Sequence, residues 1–123
     1  MKKDKSLNDE QNLAVYSRGS SILVSAPAGS GKTKILVNRM MSLIEDDHVS
    51  VDSLLVLTFT KAAALEMKQR LVESLNKRIR LLEDELDHKA IFDKDCEFIH
   101  KNLNTLYTQA TILEWVLTET TEL

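Results

Sequence analysis

The chain is poor in the residues that bend, brace or cross-link a backbone. Its one cysteine, Cys96, excludes an internal disulfide, and no CxxC pair or His/Cys cluster suggests a structural metal. His48, His88 and His100 are scattered and read as surface residues. No apolar run approaches the roughly 18 residues that a membrane span needs, and the MKKDKSLNDEQ start has no apolar signal-peptide core. A cytoplasmic protein with no membrane partner is the expectation. There are three glycines and one proline, and Pro27, Gly29 and Gly31 fall within five residues. Backbone freedom is concentrated there, and chemistry is to be sought at that place.

What remains is ordinary globular material. The 123 residues are 43% hydrophobic and 28% charged, enough for at most one domain. A net charge of −3 argues against a freestanding nucleic-acid module, but it hides an asymmetry. Residues 1–80 carry 13 Lys/Arg against 9 Asp/Glu, whereas residues 81–123 carry 3 against 10. Only the first part suits contact with phosphates.

Patterning suggests an α/β organisation. Asn8 can cap a helix over 9–18, with Gln11 as the reciprocal partner of a capping box and Gly19 closing the helix. SILVS at 21–25 and LLVLT at 54–58 read as buried strands, and Lys32 to about Glu45 as the helix between them. Strand, Gly-rich loop, helix, strand makes a βαβ unit with parallel strands, which need cover on both faces. A long helix is expected from Ala62 to about Leu86, striped by Val72, Leu75, Ile79, Leu82 and Leu86. Phe92, Cys96, Ile99, Leu103 and Leu106 repeat the rhythm. The two stripes fit either an antiparallel helical hairpin or the core faces of separate helices.

Ala26-Pro27-Ala28-Gly29-Ser30-Gly31-Lys32-Thr33 fits the phosphate-loop pattern GxxxxGK[ST], except that alanine holds the first position. Gly29 and Gly31 permit backbone angles that turn consecutive N–H groups inward around a phosphate, and the following helix adds its positive end. Lys32, the one catalytic candidate, would reach the β- and γ-phosphates of ATP, with the Thr33 hydroxyl as a ligand of Mg2+. Hydrolysis also needs a strand closing on an acid. Only AIFD at 90–93 and ATILE at 110–114 approach that, and neither follows a convincing strand.

Three segments together resemble the start of superfamily one DNA helicases of the UvrD/Rep type. LNDEQNLAV at 7–15 is similar to their Q motif, which implies that Gln11 recognises adenine. APAGSGKT is similar to their motif I. LLVLTFTKAAALEMKQRL at 54–71 is similar to their motif Ia, which implies single-stranded DNA contacts from Thr58, Thr60 and the helix start near Ala62. Lys61 departs from the asparagine usual there. Phe59 is expected to pack in the core, Glu66 and Met67 to be structural, and Lys77, Arg78 and Arg80 to form a solvated face.

Within that group the alanines after Thr-Phe-Thr and the NTLYTQATI stretch resemble helicase/nuclease subunits of the AddA (RexA) type. The likeness implies a RecA-like P-loop fold, ATP and Mg2+ as cofactors, and, as partners in double-strand break repair, single-stranded DNA and an AddB/RexB-type subunit. It divides the chain into residues 1–80 with the three motifs, a helical extension over 81–112, and a tail at 113–123. That tail, LEWVLTETTEL, is unlike the family and is expected to be out of frame, the product of a frameshift or premature stop. An incomplete domain of this kind should leave apolar sheet surface uncovered, be prone to aggregation and not turn over ATP alone. A non-catalytic nucleotide-binding or helical interaction protein is the alternative. A small kinase would leave Gln11 and Thr58-Phe59-Thr60 without a role.

Overall fold

The computed structural model describes residues 2–27, 29, 31–88 and 94–122; the side chains of residues 94–95 and 115–122 are not described. Among the described residues the regular structure is α1 Asp9–Tyr16, α2 Lys32–Glu45, α3 Lys61–Asp87 and α4 Lys94–Glu122, with a 3-10 turn at Val51–Ser53. The expected βαβ unit is not formed, and among the described residues there is no strand or sheet. Residues 21–25 and 54–58 have no regular secondary structure and lack the ladder partners that would satisfy their backbones inside a sheet.

The physical reason shows in the burial pattern. Along 54–58, Leu54 and Val56 turn toward the helical core while Leu55 and Leu57 are each 83% exposed. A parallel strand requires cover on both faces, and here only one face is covered. Leu23 is 94% exposed, and Phe59, expected in the core, projects fully into solvent.

The hydrophobic core is built by helices instead. Leu71, Leu75, Ile79 and Leu82 of α3 meet Ile99, Leu103, Leu106, Ala110 and Leu113 of α4, with Leu75 and Leu106 almost completely buried. Ile112 and Leu113, in the second half of α4, lie beside Ala64, Met67 and Leu71 near the start of α3, so the two helices are antiparallel. The three- and four-residue spacing of these side chains puts them on one stripe of each helix. Phe92, part of the expected stripe, lies outside the described residues. Val37, Met40 and Ile44 attach α2 to this hairpin, while Ile35 faces a smaller cluster with Leu7, Ala14 and Val15. α2 is therefore the element that joins α1 to the hairpin.

At its start α1 carries the capping box: Asn8 Oδ1 accepts from Gln11 N at 2.8 Å, and Asn8 N donates to Gln11 Oε1 at 3.0 Å. Its end differs from expectation. The helix stops at Tyr16 rather than at Gly19, because arginine side chains take over its last carbonyls. Arg39 Nη1 donates to Ala14 O and Ser17 O, both at 2.9 Å, and Arg18 Nη1 donates to Val15 O at 2.9 Å. These bonds satisfy groups that a glycine C-cap would otherwise serve.

Candidate functional site

α1 and α2 bring the first two sequence motifs together. A cavity of about 210 Å3 opens between them, lined by Gln11, Lys32, Val24, Ser25 and Ala26, with Asn8 and Glu10 at the α1 side and Ala14 and Ile35 beneath. Gln11 and Lys32 are 21 positions apart in sequence, and the packing of Ile35 on Ala14 and Val15 makes them neighbours of one space.

Two glycines of the loop entering α2 take positive φ angles. Gly29 (φ 81°) and Gly31 (φ 84°) are left-handed, and open space surrounds the position of a Cβ at each. Gly31 is the N-cap of α2 and offers no side chain to the first N–H groups of the helix. Lys32 and Lys34 occupy this first turn, and no acid does. Two cations at the positive end of a helix are unfavourable by about 0.3–1 kcal/mol each, a cost that a bound anion would reverse. Lys32 is exposed and Thr33 half-buried. Pro27 is exposed, and Ala28 and Ser30 lie outside the described residues.

The residues expected at DNA lie beyond α2 in the chain, where residues 54–60 lead into α3. Thr60 is the N-cap of α3, its Oγ1 accepting from Ala63 N at 3.0 Å. Thr58 donates its hydroxyl proton to Thr60 O at 2.8 Å, and Ala62 is exposed in the first helical turn. Thr60 therefore has a local structural task that sequence reading did not assign it, although a threonine just before Lys-Ala-Ala is a recognisable cap signal. Glu66 pairs with Arg70 at 2.8 Å one turn on. Lys77 and Arg80 are exposed, while Arg78 pairs with Glu45 of α2 at 2.5 Å.

A larger cavity, about 390 Å3, was not foreseen. It lies between residues 51–58, the start of α3 and Ile112 and Leu113 of α4, with mainly apolar walls and with Asp52, Thr58 and Lys68 as its polar members. The smaller cavity, not this one, holds the phosphate-loop lysine. Among the described residues there is no group of three or more His, Cys, Asp or Glu that could hold a metal ion. A divalent cation at Thr33 would thus depend on oxygens that a nucleotide brings. No helix of the described residues is long and apolar enough to cross a membrane.

Residues 7–119 match the UvrD/REP helicase N-terminal domain, a span that includes the first part of the tail set apart above. Similar proteins are named as subunits of an ATP-dependent helicase/nuclease. One from Thermoanaerobacter sp. is 43% identical over 106 residues, covering 85% of this chain and 8% of the relative. Another, from Lactobacillus delbrueckii subsp. bulgaricus, is 60% identical over 62 residues, 50% of this chain and 5% of the relative. A third, from Bacillus velezensis, is 53% identical over 79 residues, 63% of this chain and 6% of the relative. The chain thus spans less than a tenth of the length of these relatives. No solved structure matches it. With its capping-box glutamine and its glycine-led lysine helix inside the matched span, this chain belongs to the UvrD/REP helicase N-terminal domain family.

Proposed function

We propose that the chain is the ATP-binding N-terminal portion of an AddA-type ATP-dependent DNA helicase/nuclease. Such a protein acts in the cytoplasm on broken double-stranded DNA, together with an AddB/RexB-type subunit. The observation that carries this reading is the single cavity shared by Gln11, Ala26 and Lys32 beside the uncapped, lysine-bearing start of α2. Gln11 reads adenine, Lys32 and the first N–H groups of α2 hold the phosphates, and the loop from Ala26 through Pro27, Ala28, Gly29, Ser30 and Gly31 wraps them. Thr33 is the residue that would hold Mg2+, whose chemical contribution is to neutralise phosphate charge. Thr58, Thr60 and Ala62 are the proposed single-stranded DNA contacts, made through hydroxyls and helix-start N–H groups that recognise backbone phosphate irrespective of base.

This chain by itself binds ATP without turning it over. Glu114, the acid closing ATILE, lies on α4 next to Ile112 and Leu113, which line the other cavity. The acid that lines the cavity of Lys32 is Glu10, on α1 and not at the end of a strand, and Asp93 of AIFD lies outside the described residues.

The test compares ATP and GTP binding for the wild type, Lys32→Ala and Gln11→Ala, with ATPase activity measured with and without single-stranded DNA. Adenine-selective binding that weakens in both variants, with no DNA-stimulated turnover, is the expected result. A preference for GTP indifferent to Gln11 refutes the reading.

A further inference from the structure

Gln11 does two things at once, and the first constrains the second. Its Oε1 accepts from the backbone N–H of Asn8 at 3.0 Å, so the amide oxygen is held toward the helix start. Its own backbone N–H is held by Asn8 Oδ1 at 2.8 Å. The same glutamine lines the cavity that contains Lys32. A carboxamide can normally rotate to exchange its oxygen and nitrogen, and the N–H of Asn8 favours one of the two orientations.

We infer that Asn8 is a positioning residue for nucleotide choice, because its backbone N–H sets the orientation of the Gln11 carboxamide and thereby selects adenine over guanine. This rests on the ATP-binding reading above. The pinned amide keeps Nε2–H as a donor and one lone pair of Oε1 as an acceptor. The N6 and N7 edge of adenine offers one donor and one acceptor, which matches. Guanine offers two acceptors, O6 and N7, on the corresponding edge, and its O6 meets the lone pair of Oε1. The side chain of Asn8 caps the helix, but its backbone N–H, not that side chain, orients the amide.

This division of labour makes the proposal testable with substitutions at one position. Asn8 has φ −73°, inside the range a proline ring imposes, so Asn8→Pro removes the N–H without forcing a new backbone angle. Asn8→Ala removes the same side-chain cap and keeps the N–H. Kd values for ATP and GTP are measured on the whole chain for the wild type, Asn8→Ala, Asn8→Pro, Gln11→Ala and Gln11→Glu, with far-UV circular dichroism on each.

Asn8→Ala is expected to keep the ATP-over-GTP preference. Asn8→Pro and Gln11→Ala are expected to lose it by about 5- to 150-fold, the span of a good bidentate base contact, while GTP still binds through Lys32. Gln11→Glu keeps an acceptor for Asn8 N–H and for N6–H of adenine but loses the Nε2 donor to N7, an acceptor that both purines carry, so it should retain helix content, weaken both nucleotides and keep the ATP-over-GTP preference. This arm tests, without altering residue 8, whether the acceptor presented to the base edge carries the choice. If Asn8→Pro discriminates as well as the wild type, if Gln11→Glu loses the preference, or if Asn8→Ala loses it as fully as Asn8→Pro, the positioning role is overturned while adenine reading by Gln11 stands. If Gln11→Ala discriminates like the wild type, the adenine reading falls and the positioning role with it.

Discussion

Replacing Leu55 and Leu57 together by serine separates the helical fold from a sheet-based one. Each leucine is 83% exposed, so only about a sixth of its side-chain burial energy is engaged. Full burial of a leucine stabilises by about 1.5–3 kcal/mol, which leaves about 0.3–0.5 kcal/mol at each position and about 1 kcal/mol or less for the pair. In a buried strand the same double change would cost several kcal/mol and place two hydroxyls without partners inside a core. Leu75→Ala is the matched control: Leu75 sits completely buried between α3 and α4, and its truncation is expected to cost about 2–5 kcal/mol. Urea titrations followed by far-UV circular dichroism give both values from shifts in midpoint at constant slope. Light scattering on the double variant should show less self-association, since two apolar groups leave the surface. A loss above about 2 kcal/mol in the serine pair, or the disappearance of its cooperative transition, would refute the one-sided packing of residues 54–58.

Three further outcomes follow from individual contacts. Gln109→Ala leaves the N–H of Val51 without the Gln109 Oε1 that accepts from it at 2.5 Å, and should cost about 1–3 kcal/mol, with faster hydrogen exchange at the Val51 amide. Arg39→Met keeps much of the apolar stem but releases the carbonyls of Ala14 and Ser17; α1 amides should exchange faster while those of α3 do not change. Asp4 is held below the ordinary aspartate pKa, first by the hydroxyl and then by the backbone N–H of Ser6. A depressed folded-state pKa means that its contribution is present above the unfolded-state value and is lost as pH falls through the folded one. A carboxyl NMR titration should therefore show the Asp4 midpoint rising when Ser6 becomes Ala.

How much of this was legible depended on whether the signal was local. The capping box at Asn8 and Gln11, the start of α2 at Lys32 and the stripe through Leu75, Ile79 and Leu82 are written in spacings of three and four residues, and the structure contains each of them. Strands carry no such self-contained signal. An apolar run such as LLVLT becomes a strand only when another segment supplies hydrogen-bond partners and cover. Here it packs Leu54 and Val56 on helices and turns its other side outward. Phe59 was misplaced for the same reason, since its burial depended on that missing cover. At the site, sequence order alone joined Ala26 to Lys32, whereas the approach of Gln11 required α1 to pack on α2. The arginines that end α1 were invisible because Arg39 acts across 22–25 positions of the chain.

The buried carboxamide of Asn12 carries a practical consequence for anyone trimming the front of this polypeptide. Its Nδ2 donates to the carbonyls of Asp4, Leu7 and Asn8, and its Oδ1 accepts from Asp4 N at 2.7 Å. Cutting just before Asn8 would sever most of that knot and also remove Leu7 from its apolar seat. The first helix should then be counted as a unit that begins at Asp4, and a fusion partner or protease site belongs ahead of that aspartate.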